Sequence, residues 1–279
     1  MAQPLSTVDP DALLQAEIES QSLRLPPLPG VAAQVLAINV DGNDGAAELA
    51  KLIQQDQSLA SNVMRIVNSP SFRGATEIVA LQQAIARLGM SRIREMALSV
   101  SLKAVLEQQG PYDVLVQQGW QRALGTALWA REVARLCRKN VENAYLSGLL
   151  HNIGAPVVLH RLGALEGDDA VTLADAGQLA DRYLQKAGLM LIKSWQLPTL
   201  LARYVALQGD FNAAGDDADL IACVAAGVAL ATAAESNTLR LEEIVAQPAI
   251  GFLNLYPDDA KVLLDLGESI AQQMAEMNG

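Results

Sequence analysis

Apolar residues recur every three or four positions along most of the chain, and the strict alternation of a β-strand persists nowhere. Residues 46–70 show the spacing clearly, with Leu49, Leu52 and Ile53 on one helical face ahead of Asp56. This spacing places apolar side chains on one face of an α-helix, and Asp56 is a residue type that caps a second helix. The sequence therefore predicts an all-α fold.

The apolar residues that must fill the core are mostly aliphatic. Hydrophobic residues make up 51% of the 279 residues, but aromatic residues only 4%. A chain of this length buries a sizeable core, and alanine and leucine lose little conformational freedom in a helix. The composition favours closely packed helices.

Proline and glycine divide the chain into segments. Asp9 and Pro10 are typical of a helix start, and LRLPPLPG at 23–30 predicts an extended segment because three prolines exclude regular helix. Gly110-Pro111 is the clearest internal break. We predict four parts: an N-terminal helical extension (1–24), two lobes (about 25–109 and about 111–234), and a C-terminal helical extension (235–279). One final amphipathic helix is predicted to begin at Asp258 or Asp259.

The formal net charge of −11 argues against two classes of partner. An acidic surface repels nucleic-acid phosphates and anionic membranes, so neither is predicted. Residues 220–233 are apolar but too short to cross a bilayer, which favours a buried core helix.

Two features indicate a cytoplasmic location. The N-terminus lacks the basic and apolar regions of a signal peptide. The two cysteines, Cys137 and Cys223, form no disulfide framework, and we interpret each as a small buried hydrophobic residue.

The pair His151-Asn152 is the main candidate for chemistry. Asparagine is neutral and a weaker ligand for a divalent ion than aspartate. The chain has two histidines, His151 and His160, whereas a catalytic site of mixed ligands usually needs several imidazoles. We therefore predict no metal, no cofactor and no catalytic residue, although an oxygen-only Mg²⁺ site stays open. Phosphate-loop, dinucleotide, nucleophile-elbow and zinc-protease motifs are absent from the sequence.

Several segments together resemble the HDOD domain, a helical, HD-related output domain of bacterial signalling proteins. In order they are LPPLPG (25–30), ELAKLIQQDQSLASNVMRIVNSP (48–70), AIARLG (84–89), LSGLLHNIG (146–154) and GLMLIKSWQLP (188–198). The resemblance covers about residues 25–234. It implies an N-terminal helical lobe packed on an HD-like lobe, in a signalling module without established catalysis.

The resemblance also implies that most metal ligands of HD enzymes have been lost. Arg122 stands at the first histidine position, His151-Asn152 replaces a His-Asp pair, and Leu184 stands at a further histidine. The later histidine pair falls near Gln208 and Gly209, and the last aspartate falls on Ala225 or Ala226. We define the vestigial HD pocket as Arg122, His151, Asn152, Leu184 and Gln208. Arg122 could bind a small anionic ligand there, or it could be an exposed or salt-bridged helix residue.

The favoured function is a non-catalytic regulatory module that acts through a protein partner or a small ligand. The alternative is a metal-dependent phosphohydrolase acting on nucleotides or phosphate esters. Because the flanks are too short for a receiver, kinase or cyclase domain, we expect a stand-alone module.

Overall fold

The computed structural model describes residues 9–38, 44–74, 76–107, 110–165, 171–207 and 209–279. Within these ranges the chain forms sixteen α-helices and two short 3-10 turns, and none of their residues lies in a strand. The predicted all-α fold class is therefore confirmed.

Six helices precede the break at Gly110-Pro111, and the last five of them pack together around the longest, α6. Asp56 separates α3 from α4, and its carboxylate accepts a hydrogen bond from the Leu59 amide at 3.0 Å, as the sequence predicts. Gly89 ends α5 with a φ of 87°, in a region that favours glycine. The five helices are α2 (Gly30–Ala37), α3 (Gly45–Gln55), α4 (Gln57–Val67), α5 (Leu81–Leu88) and α6 (Met90–Leu106).

Six helices lie between the break and the C-terminal extension, and α7 is at their centre, packed along α8 and α12. Close backbone approach makes this packing possible. A Cβ on Gly148 would lie 2.8 Å from the Ala127 Cα, and one on Gly227 would lie 2.8 Å from the Ala130 amide nitrogen. The helices are α7 (Asp113–Leu136), α8 (Val141–Leu150), α9 (Gly154–Gly163), α10 (Leu173–Ser194), α11 (Thr199–Leu207) and α12 (Ala218–Glu235).

The N-terminal helix α1 (Pro10–Glu19) packs on the helices after the break. Asp9 caps it with Pro10 at its first turn, as predicted. Arg161 of α9 makes a bidentate ion pair with Glu17 at 2.7–2.9 Å. The proline-rich segment that follows is fixed from the same side, because the Trp195 indole donates to the Pro26 carbonyl at 2.8 Å.

The C-terminal extension contains four helices. The prediction of one final amphipathic helix is wrong. A helix ends at Asp265, and after Leu266 a new helix begins at Gly267, close to Leu239. Val262, expected on the buried face, is 45% exposed. The helices are α13 (Leu241–Val245), α14 (Pro248–Phe252), α15 (Pro257–Asp265) and α16 (Gly267–Asn278).

A buried ion pair joins α6 to α7. Arg131 donates to Glu95 at 3.1 Å, and both side chains are almost fully buried. A second guanidinium nitrogen of Arg131 reaches Gln273 of α16 at 3.0 Å. Burial raises the pKa of Glu95, while the positive charge of Arg131 opposes that rise. The C-terminal helix is thereby attached to α7, after the break, and Lys103 of α6, before the break, donates to its Asn278 carbonyl.

The apolar segment near the C-terminus is longer than the sequence suggested. Gly215–Glu235 is 21 residues long, so by length and composition this helical segment could span a membrane, and the prediction that it is too short is wrong. The core helix of a globular protein can have the same length and apolar composition. Here Gly227 of α12 packs directly on the α7 backbone.

Candidate functional site

A cleft of about 470 Å³ opens between α7, α9, α10, α11 and α12. Four residues of the vestigial HD pocket line it: Arg122, His151, Asn152 and Leu184. The fifth, Gln208, lies outside the described residues. The structure thus brings together residues from α7, α10 and the turn between α8 and α9.

His151 follows the last residue of α8 and is held as a neutral imidazole. Its Nδ1 lies 2.7 Å from the Gly148 carbonyl oxygen, which can only accept, so Nδ1 carries the proton. Burial lowers the pKa of His151 to about 4; the charge of Arg122 acts in the same direction, and the Gly148 hydrogen bond opposes it. The remaining nitrogen, Nε2, is therefore an unprotonated acceptor on the cleft at neutral pH.

Asn152 is anchored by its amide nitrogen. Its Nδ2 donates to the Gly119 carbonyl of α7 at 2.8 Å, which leaves Oδ1 as an acceptor. Two residues later, the backbone of Gly154 packs directly against α10. A Cβ on Gly154 would lie 2.0 Å from the Leu184 carbonyl oxygen. The segment from His151 to Gly154 therefore fixes both the polar groups of the cleft and the approach of α9 to α10.

Arg122 lies at the mouth of the cleft and is paired. Its Nε is 3.4 Å from the Glu235 carboxylate, and both side chains are 48% exposed. Arg122 also borders a smaller cavity of about 230 Å³, which Gly125 and Met274 help to line. Of the two interpretations of Arg122, the salt-bridged helix residue matches this geometry.

Four polar residues of the cleft were not predicted from the sequence: Gln118, Asp181, Tyr204 and Thr232. Asp181 is exposed, Thr232 donates to the Val228 carbonyl at 2.8 Å, and Tyr204 is buried, which raises the pKa of its phenol. Helical spacing could have found two of them, since Asp181 lies one turn before Leu184 and Tyr204 one turn before position 208. The wall from α12 consists of Val228 and Thr232, and neither Ala225 nor Ala226 lines the cleft.

The cleft does not fit a catalytic divalent ion. Its lining includes one imidazole (His151), one carboxylate in Asp181, and the neutral amides of Gln118 and Asn152. Within the described part of the chain, no three His, Cys, Asp or Glu side chains are grouped so that they could hold a metal. Structural and catalytic metal sites usually take at least three protein ligands.

A second cavity of about 440 Å³ lies between α2, α6 and α8. Several of its polar groups already have hydrogen-bond partners, although the Nε of Arg94 is buried without one. Arg94 donates to Glu142 at 3.2 Å and to the Leu36 carbonyl at 2.9 Å, and the Tyr145 hydroxyl lies 2.7 Å from that of Ser99. By contrast, the His151 Nε2 and Asn152 Oδ1 atoms have no hydrogen-bond partner among the described residues. The His151 cleft is the better candidate for a ligand.

Comparison with known proteins supports the fold. Residues 25–211 match the profile of the HDOD domain. A solved HDOD domain protein of unknown function from Geobacter sulfurreducens has a TM-score of 0.72 at 23% identity, covering 95% of this chain and 96% of that one. A candidate metal-dependent phosphohydrolase from Shewanella amazonensis has a TM-score of 0.71 at 20% identity, covering 96% of each chain. A candidate signal transduction protein from Marinobacter aquaeolei has a TM-score of 0.68 at 21% identity, covering 99% of this chain and 68% of that one. At these identities the likeness shows a shared helical fold.

An uncharacterized protein of Treponema pallidum is 23% identical over 201 residues. The matched region is 66% of this chain and 37% of the relative. The chain therefore spans well under half the length of that curated relative.

Proposed function

The chain belongs to the HDOD family, and on that premise we propose that it is a regulatory module that works by binding and not by hydrolysis. The family is related to the HD metal-dependent phosphohydrolases. The observation that carries the proposal is the content of the His151 cleft. The positions of the lost ligands hold Arg122, Asn152 and Leu184, which leaves His151 and the Asp181 carboxylate as the strong metal ligands of the lining.

The hydrogen-bonding groups of the cleft favour a particular kind of small ligand. His151 Nε2, Asn152 Oδ1 and the Asp181 carboxylate are acceptors. A ligand that offers several N–H or O–H donors would satisfy them together. At the mouth, an anionic group of the same ligand could displace Glu235 from Arg122, at small cost because an exposed ion pair contributes about 0–1 kcal/mol. We therefore propose a small ligand with a donor-rich body and an anionic end.

The module is also proposed to act on a protein partner in a cytoplasmic signalling pathway. The acidic surface, with a net charge of −11, supports a protein partner over nucleic acid or an anionic membrane. Capture from the native cell with the full chain as bait, with and without nucleotides, identifies the partner, and fractionation of those cells tests the location.

The deciding experiment measures hydrolysis and binding on the same protein. The full chain is incubated with nucleotides and phosphate esters in the presence of Mg²⁺ or Mn²⁺, and binding of each compound is followed by calorimetry. We expect saturable binding that is weakened by Arg122→Gln, with no hydrolysis above the level of His151→Gln. Metal-dependent hydrolysis that His151→Gln abolishes would contradict the proposal.

The alternative function is a metal-dependent phosphohydrolase. Asp181 favours it, because this carboxylate shares the cleft with His151. In that case Asp181→Asn should abolish hydrolysis in the same assay. A variant outside the cleft, Arg182→Gln on the same helix, serves as the control.

A further inference from the structure

The two cysteines of the chain lie against each other in the fold. Cys137 follows the last residue of α7 and is half-buried, whereas Cys223 is in α12 and fully buried. The two thiols lie close enough that each is the largest influence on the pKa of the other. From the sequence, each cysteine was interpreted as a small buried hydrophobic residue, because contacts between residues far apart in sequence are not visible in local patterns.

The packing of α7 on α12 fixes this contact from both sides. Towards the middle of the helices, Gly227 lies against the Ala130 backbone. Towards their ends, Lys139 forms an ion pair with Asp219. These two contacts show that the helices run antiparallel, with Cys137 and Cys223 between them. The thiols are therefore held in place by rigid elements.

We propose that Cys137 and Cys223 form a reversible disulfide that cross-links α7 to α12, with a low-molecular-weight disulfide as the oxidant. The Cys137 thiolate attacks one sulfur of the oxidant, which forms a mixed disulfide and releases one thiol. Cys223 then loses its proton to solvent and attacks the Cys137 sulfur, releasing the second thiol. In balance, the oxidant is reduced to two thiols and the protein loses two hydrogen atoms.

The environments of the two thiols assign their roles. The neighbouring Cys223 thiol lowers the pKa of Cys137, burial opposes this, and the charge of Lys139 assists it. The neighbouring Cys137 thiol and burial both raise the pKa of Cys223. A partly exposed thiol with a lowered pKa is the one that reacts first with an external disulfide. Cys137 is thus the attacking residue, and the buried Cys223 resolves the mixed disulfide.

The cross-link would join two walls of the His151 cleft. Gly119 and Arg122 belong to α7, and Val228 and Thr232 belong to α12. Oxidation would constrain the relative position of these helices in the ligand-free protein. The disulfide depends only on the thiol contact, so it can form whether or not the cleft binds a ligand.

The test uses the reduced full chain in buffers of increasing oxidised-to-reduced glutathione ratio. Free thiols are blocked by alkylation, and intact mass and a non-reduced peptide digest are measured. We expect a monomer that has lost the mass of two hydrogen atoms, with a Cys137–Cys223 peptide that disappears when excess reduced glutathione is restored. Two unmodified thiols at the most oxidising ratio would overturn the proposal, as would a stable glutathione adduct on wild-type Cys137 or a disulfide between chains.

Variants separate the two roles. Cys223→Ser should accumulate the mixed glutathione disulfide at Cys137, and Cys137→Ser should remain unmodified because Cys223 is buried. Since a hydroxyl at the buried position can impair folding, Cys223→Ala is the second variant, and melting of each protein is measured first. A Cys137→Ser protein that is folded and still forms a glutathione adduct at Cys223 would contradict the assigned order.

Discussion

The imidazole of His151 donates from Nδ1 to the carbonyl oxygen of Gly148, one turn back along α8, at 2.7 Å. This hydrogen bond sets the tautomer and the direction of the ring. The proton is on Nδ1, so Nε2 is left as the acceptor that faces a ligand. In a direct test, nitrogen-detected NMR of the labelled full chain should show the Nδ1–H tautomer for His151 from pH 6 to pH 8, where its pKa of about 4 keeps it neutral. The Nε2–H tautomer would contradict this assignment.

The stability of the protein should fall in acid through His151. Its pKa is lowered from 6.5 to about 4 on folding, so the unfolded chain binds a proton that the folded chain does not. The free energy of unfolding is therefore highest above about pH 6.5, where His151 is neutral in both states, and it falls as the pH falls towards 4. A shift of this size corresponds to about 3 kcal/mol. Denaturant unfolding at a series of pH values should show that the unfolding free energy of the wild type falls with decreasing pH. That of His151→Ala should fall less steeply.

His151→Ala should also be less stable at neutral pH. The variant loses the packing of the ring and the hydrogen bond to Gly148, which together contribute about 1–3 kcal/mol. We expect a lower melting temperature at pH 7.5 with an unchanged helical circular dichroism spectrum. A variant that melts with the wild type at pH 7.5 would show that the ring has no structural role.

The glycine of the same segment should be more sensitive than the histidine. A Cβ on Gly154 would lie 2.0 Å from the Leu184 carbonyl oxygen and 2.6 Å from the Gly188 amide nitrogen, and these are backbone atoms. Gly154→Ala must push α9 away from α10, so we expect a loss of about 3 kcal/mol or more in unfolding free energy. The matched control is Gly251→Ala in α14, where a Cβ meets nothing within 4 Å. It should be neutral or stabilising by about 0.5–1 kcal/mol.

These residues show how far the sequence predicts the fold. Asp9 and Asp56 were predicted correctly as caps, because a cap is made by atoms within a few residues of it. His151 and Asn152 were singled out from the sequence, but nothing in the sequence shows that Gly154, two residues later, touches α10. The hydrogen bond from Trp195 to the Pro26 carbonyl could not be predicted from the sequence either, because it joins segments that only the folded chain brings together.

The candidate site was likewise predicted only in part. Arg122, His151, Asn152 and Leu184 were placed in one pocket by a resemblance that already carries three-dimensional information. Asp181 and Tyr204 were not found, although each lies one helical turn before a position that the resemblance assigns to the pocket, because neither residue type has a distinctive local pattern of its own. Their place in the cleft depends on how α10 and α11 are oriented towards α7.

The buried ion pair between Arg131 and Glu95 gives a prediction about the attachment of α6 to α7. Glu95→Leu removes one of the two carboxylates that pair with the buried Arg131 and leaves Glu132, at 2.9 Å, as the other, so it should lower the unfolding free energy by about 1–3 kcal/mol. The double variant Glu95→Leu/Arg131→Met should be more stable than Glu95→Leu, because neither charge then remains buried. As a control, Arg182→Gln removes an exposed ion pair with Asp11 and should cost less than about 1 kcal/mol. Additive losses in the double variant would contradict the argument.

The metal content of the purified protein gives the last prediction. Full-length chain, purified without chelator or metal-affinity resin, should contain well under one Fe, Mn or Zn per chain by elemental analysis. His151 offers Nε2, but Arg122 repels a cation and Leu184 has no donor atom, so the cleft lacks a ligand set.

Asn152→Asp sharpens the test by restoring a His-Asp pair. We expect that this variant too binds no stoichiometric metal, because two neighbouring ligands do not replace a full coordination shell. It should also melt lower than the wild type, because a carboxylate cannot donate to the Gly119 carbonyl as Nδ2 of Asn152 does. One tightly bound transition metal per wild-type chain, lost in His151→Ala, would restore the phosphohydrolase alternative.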